Sequence, residues 1–193
     1  MKVDPALAAH IQGQEGRLLE LLRELVEIES WSSDKAGVDR AGAFMARELS
    51  GCGFAVERHP QTAFGDQLVG RRSGGGRGRL LIVGHLDTVW PTGTLRDWPF
   101  SVSPDGLARG PGVGDMKGGL IAALGALEAV QARGGCRLQS IAFLLVPDEE
   151  LGTPHSRPLI EREARGADWA LVMEPGRENG GVVTSRSVVG KFL

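Results

Sequence analysis

The sequence predicts an α/β protein: a mixed, largely parallel sheet flanked by helices. Three observations carry that prediction. Continuous apolar runs at 80–83, 141–146 and 169–173 suit strands buried on both faces. Helical patterns at 117–132 and 158–164 lie between them, so strand and helix alternate. The 193 residues show no internal repeat and no linker, and a chain of that size can bury one sizeable core.

Each element has its own local reason. Leu18, Leu19, Leu21, Leu22, Leu25, Val26 and Ile28 recur at helical spacing and predict one helix over 6–29. A second helix is predicted over 37–50, burying Phe44, Met45 and Leu49 and stopping at Gly51. Gly53 then opens a short strand, 54–58. Residues 71–79, with Gly74, Gly75, Gly76 and Gly78, read as a turn, and no GK[ST] follows to suggest a phosphate cradle.

Composition supplies exclusions. Lys and Arg total 22 against 24 Asp and Glu, a net charge of -2 with scattered arginines, which excludes a basic surface for nucleic acid. Cys52 and Cys136 have no CxxC partner and read as small buried hydrophobes. The stretch 118–127 is the longest apolar one and falls short of the ~20 residues that span a bilayer. The first residues lack the charged-then-apolar order of a signal peptide, so a cytoplasmic protein with no membrane partner is expected.

Acidic residues and one histidine collect where the strands end. His85 and Asp87 follow Val83, Glu149 and Glu150 follow Val146, and Glu174 follows Met173. Ligands of open α/β sheets bind at the carboxyl ends of strands, so these residues point to one site. A glycine-rich segment, 110–119, adds Asp115 at the start of a helix. An imidazole with several carboxylates and no cysteine suits a catalytic zinc or similar divalent ion. Asp87 is placed to accept a hydrogen bond from the second ring nitrogen of His85. Of Glu149 and Glu150, adjacent and pointing apart on extended backbone, one can bind metal and the other act as general base; spacing does not say which.

Taken singly these residues have ordinary uses: Asp115 as a helix N-cap, Glu149 and Glu150 in a solvated loop, Glu174-Pro175 as a turn. Lys117 reads as solvated or paired with an acid. Trp90, Trp98 and Phe100 read first as core. The 110–119 segment lacks both the glycine spacing and the lysine-serine ending of a nucleotide loop.

Together, GHLDTV (84–89), GPGVGDMKGG (110–119), DEELG (148–152) and MEP (173–175) resemble the co-catalytic zinc metallopeptidase family of glutamate carboxypeptidase, aminoacylase, acetylornithine deacetylase and succinyl-diaminopimelate desuccinylase. Trp90, Pro99-Phe100 and Ser156-Arg157 resemble the glutamate carboxypeptidase branch most. The resemblance implies an aminopeptidase-like α/β fold and two Zn²⁺ per complete active site, with Co²⁺ or Mn²⁺ as substitutes. It makes His85 and Glu174 ligands of one ion, Asp115 the bridge, Glu150 a ligand of the other, Glu149 the general base and Asp87 the histidine-orienting acid. It also implies a cis peptide between Asp115 and Met116.

The implied reaction is hydrolysis of an amide in a small peptide or N-acyl amino acid, releasing a C-terminal amino acid such as glutamate; the alternative on the same site is a deacylase. The family adds a late histidine for the second ion and a lid domain through which full-length relatives commonly dimerise. Neither has a counterpart in this chain, whose last residues, 188–193, resemble the approach to that lid. Residues 1–193 are therefore expected to be the N-terminal part of a catalytic domain, and a fragment that binds metal without turnover is the further alternative. His10, His59 and His155 match no family ligand and read as surface or loop histidines, His155 being the nearest to DEELG.

Overall fold

The structure, a computed structural model, describes residues 4–135 and 137–176; Cys136 and the segment 188–193 lie outside them. The chain opens with α1 (Pro5–Gly13) and α2 (Glu15–Glu27), where the sequence predicted a single helix. Gln14, with φ -102° and ψ 0°, breaks it. Gly13 and Gly16 flank the break, and glycine is the weakest helix former after proline. Only α2 buries side chains, Leu21, Leu25 and Val26. In α3 (Lys35–Gly51), Asp34 caps the start by accepting from the Gly37 N–H at 3.0 Å, and Val38, Phe44, Met45 and Leu49 face the core.

Then follow β1 (Ala55–His59), β2 (Gln67–Ser73), β3 (Arg79–His85), the short helix α4 (Thr94–Asp97), the two-residue strands β4 (Ser101–Val102) and β5 (Ala108–Arg109), and α5 (Gly118–Ala132). β6 (Ser140–Val146), α6 (Arg157–Arg165) and β7 (Trp169–Val172) complete the order. The main sheet runs β1-β2-β6-β3-β7. β3 pairs parallel with β6 and β7, whereas β1-β2 and β2-β6 are antiparallel. The predicted mixed α/β sheet is present, its parallel part confined to three strands.

β2 has no counterpart in the sequence reading. Its apolar run is only Leu68-Val69, and it becomes a strand by pairing on both sides, with β1 and β6. The turn predicted over 71–79 accordingly shrinks, because 71–73 continue β2. Alternate residues of the sheet serve two cores: Leu68, Ile82, Phe143 and Leu145 pack with α2, α3 and α5, while Val69, Leu81, Leu144 and Val146 pack with Leu159 of α6.

Two expectations of burial fail. Among the described residues β7 is an edge strand paired with β3 alone, and Trp169, Leu171 and Val172 are 56%, 52% and 60% exposed, not buried on both faces. Trp90 and Trp98 meet edge to face at 4.8 Å on the surface instead of in the core, and Phe100 lies half-buried beneath the Arg23 guanidinium. Both rings belong to the loop and short helix beyond β3, outside the stacked layers. Among the described residues, no helix is long and apolar enough to cross a membrane.

Register levels the strand ends. His85 stands beside Val146, and Val83 beside Val172, so Glu174, two residues past Val172, emerges level with His85. Gly119 in the first turn of α5 lies against that same exit: a Cβ there would meet the Met173 carbonyl oxygen at 2.0 Å. Gly119→Ala is expected to lower unfolding free energy by about 1–3 kcal/mol, although alanine is the better helix former by about 1 kcal/mol. Gly75→Ala, with nothing within 4 Å of the added methyl, should stay within about 0.5 kcal/mol of the parent in the same urea titration.

Candidate metal centre

His85 ends β3 with its side chain fully buried. Its Nδ1–H donates to the main-chain carbonyl of Asp87 at 2.8 Å, and Nε2, 2.8 Å from the Asp115 carboxylate, is the ring nitrogen whose lone pair becomes free once it gives up its proton. A carbonyl oxygen can only accept, which sets this tautomer. The Asp87 carboxylate lies farther from Nδ1, at 3.4 Å.

That carboxylate is engaged elsewhere. It accepts from the Ser32 hydroxyl at 2.7 Å, the Glu149 N–H at 3.2 Å and the Glu150 N–H at 3.3 Å. Glu149 and Glu150 sit on a tight turn, Glu149–Leu151, not on extended backbone. They still diverge: Glu149 groups with His85 and Glu174, Glu150 with His85 and Asp115, each set of ligand atoms within 4.8 Å of one another. Ser32 carries no motif of its own; only its Trp31-Ser32-Ser33 neighbours mark it, and that signal is too weak to find it.

Asp115 lies in the turn before α5, with the Asp115-Met116 peptide cis and the side chain 54% exposed. It does not cap the helix, whose N-cap is Lys117. Gly112 has φ +71°, and a Cβ there would meet Thr88 Cγ2 at 2.6 Å, so only glycine lets the loop lie against the residue following Asp87. Lys117 is neither solvated nor ion-paired: its buried ammonium donates to the carbonyls of Leu25 at 3.0 Å and Ile28 at 2.7 Å, at the end of α2. Cations suit helix C-termini, and here one side chain fastens the Asp115 loop to α2. Burial pulls its pKa down to about 7.

The four acids and His85 form two overlapping groups. Burial and then the Asp115 carboxylate push Glu150 up to about 7 and raise Glu174. Burial opposes a charge on His85, but Asp87 and Asp115 outweigh it and lift the imidazole to about 9. Carboxylates that repel one another around a single imidazole are a donor set that fits a divalent ion. Among the described residues neither group includes His10, His59 or His155; His155 is exposed and stacks on Phe64 with ring centroids 4.9 Å apart, while His10 on α1 and His59 on β1 are half-buried.

The sequence profile of peptidase family M20/M25/M40 matches residues 81–188. Carboxypeptidase G2 of Pseudomonas sp. (strain RS-16) is 37% identical over 176 residues, covering 90% of this chain and 42% of the relative. A succinyl-diaminopimelate desuccinylase of Stutzerimonas stutzeri is 36% identical over 185 residues, covering 91% and 44%. The chain thus spans less than half the length of these curated relatives. In fold it is similar to the di-peptidase Dug1p of Saccharomyces cerevisiae, with TM-score 0.75, 21% identity and coverage of 87% and 40%. Human carnosine dipeptidase 1 gives 0.72 at 23% identity, with the same coverages.

Protonation of this cluster competes with metal. At neutral pH His85, at about 9, must release its proton to a metal, and Glu150, at about 7, roughly half a proton. Apparent affinity for Co²⁺ is expected to rise from about pH 6 to pH 9, with net proton release in calorimetry. A flat profile contradicts the ligand assignment.

Proposed function

The chain belongs to peptidase family M20/M25/M40, and on that premise we propose that it carries the metal site of an amide-cleaving hydrolase, most readily one that releases a C-terminal amino acid such as glutamate. The observation that carries this reading is the convergence of His85, Asp115, Glu149, Glu150 and Glu174 from three strand ends and one loop into two groups sharing His85. We assign His85 and Glu174 to one ion, Asp115 to the bridge between two, and Glu150 to the other. Two Zn²⁺ are the ions proposed, and they supply the positive charge that activates a water and polarises an amide carbonyl.

Glu149, by its resemblance to the family's general base, is proposed to move a proton. It takes one from the water and returns it to the leaving amine, a role suited to a carboxylate beside the ligands. Asp87 keeps the imidazole tautomer through its carbonyl and aims Glu149 and Glu150 through its carboxylate. Residues 1–193 are proposed as an incomplete catalytic domain, so activity belongs to the full-length protein. Similarity to carboxypeptidase G2 supports the exopeptidase reading, and similarity to desuccinylases supports a deacylase as the second.

In the full-length protein, Glu149→Ala is expected to lower kcat by at least about 100-fold while zinc content stays near that of the parent. Unchanged hydrolysis removes Glu149 from the reaction. Comparing a dipeptide with C-terminal glutamate against N-succinyl-diaminopimelate separates the two substrate readings: faster turnover of the second favours the deacylase.

A further inference from the structure

Asp148 belongs to neither ligand group, yet it is fully buried one residue before Glu149. Its carboxylate accepts from the main-chain N–H of His155 at 2.8 Å and of Ser156 at 3.2 Å, and from the Ser156 hydroxyl. Ser156 is also fully buried, and its hydroxyl accepts in turn from Gln67 Nε2 at 3.2 Å. The Gln67 amide reaches the His155 carbonyl as well, at 3.3 Å. The Asp148 carbonyl accepts from the Thr153 N–H at 2.9 Å and closes the turn that carries Glu149 and Glu150.

One buried carboxylate thus joins the end of β6 to the residues that lead into α6 and, through Ser156, to the start of β2. A charge so placed is tolerated only while its donors stay converged, which makes the arrangement stiff. From the other side, Asp87 takes the N–H groups of Glu149 and Glu150. The dipeptide is gripped between two buried carboxylates, and its side chains are sent to different groups.

We propose that Asp148 is a positioning residue, which by clamping the 148–156 turn sets the directions in which Glu150 is offered as a ligand and Glu149 as a base. This rests on the metal reading of those two residues. The competing role is a plain structural latch ahead of α6, and a latch affects stability without affecting ligation.

The test uses the full-length protein, its Asp148→Asn variant and its Ser156→Ala variant, titrated with Co²⁺ by visible absorption, assayed for kcat and KM, and melted. The expected result for Asp148→Asn is a loss of about 10–100-fold in Co²⁺ affinity with an altered spectrum. The same variant should lose kcat to a similar degree, with KM within about twofold. Ser156→Ala should move in the same direction by less, and it decides by the same criteria if Asp148→Asn does not fold. Variants that melt lower yet keep parental Co²⁺ affinity, spectrum and kcat overturn the proposal and leave Asp148 a structural latch. A parent that takes up no Co²⁺ overturns the metal reading, and this inference with it.

Discussion

Much of this molecule hangs on the buried carboxylate of Asp87. It sits just beyond β3 and receives hydrogen bonds from Ser32, ahead of α3, and from the N–H groups of Glu149 and Glu150, beyond β6. Its own carbonyl holds the ring of His85. Segments far apart in sequence therefore meet at one side chain that cannot be left half satisfied, since an unpaired buried carboxylate is costly. The sheet brings the strand ends level; Asp87 turns that coincidence into a defined spacing.

The surrounding glycines and Lys117 do complementary work. Gly112 lets the Asp115 loop approach Thr88, Gly119 lets α5 lie on the Met173 carbonyl, and Lys117 fastens the same loop to the end of α2. The result is an acid-rich cluster whose repulsion is held in place by packing. Burial first, and then this repulsion, makes Glu150 and Glu174 resist ionisation, and the acids facing the imidazole make it hold its proton tightly. A divalent cation among these acids would relieve the repulsion that the fold maintains, which fits the proposed metal site.

Legibility in the sequence followed the strength of local signals. β3 and β6 were readable because continuous apolar runs suit strands covered on both faces, and α3 and α5 because of their helical pattern, with Gly51 marking the end of α3. β2 was not, because its strand character comes from pairing on both sides. Nor was the exposure of Trp169, Leu171 and Val172, because an edge strand and a central one carry the same kind of residues. The break at Gln14 was missed because the apolar periodicity lies at 18–28 and says nothing about the turns that precede it.

The sequence by itself determined which residues to look for: the α/β alternation, His85 and the acids at strand ends, the glycine-rich loop, and the family to which these motifs belong. Tertiary structure alone decided how they are held. It showed that the Asp87 carbonyl is the nearer partner of His85, that Glu149 and Glu150 diverge from a turn, and that Lys117 serves a helix end. The physical reason is that ligand identity resides in single side chains and their spacing. Their aim is set by hydrogen bonds between segments that only the folded sheet brings together.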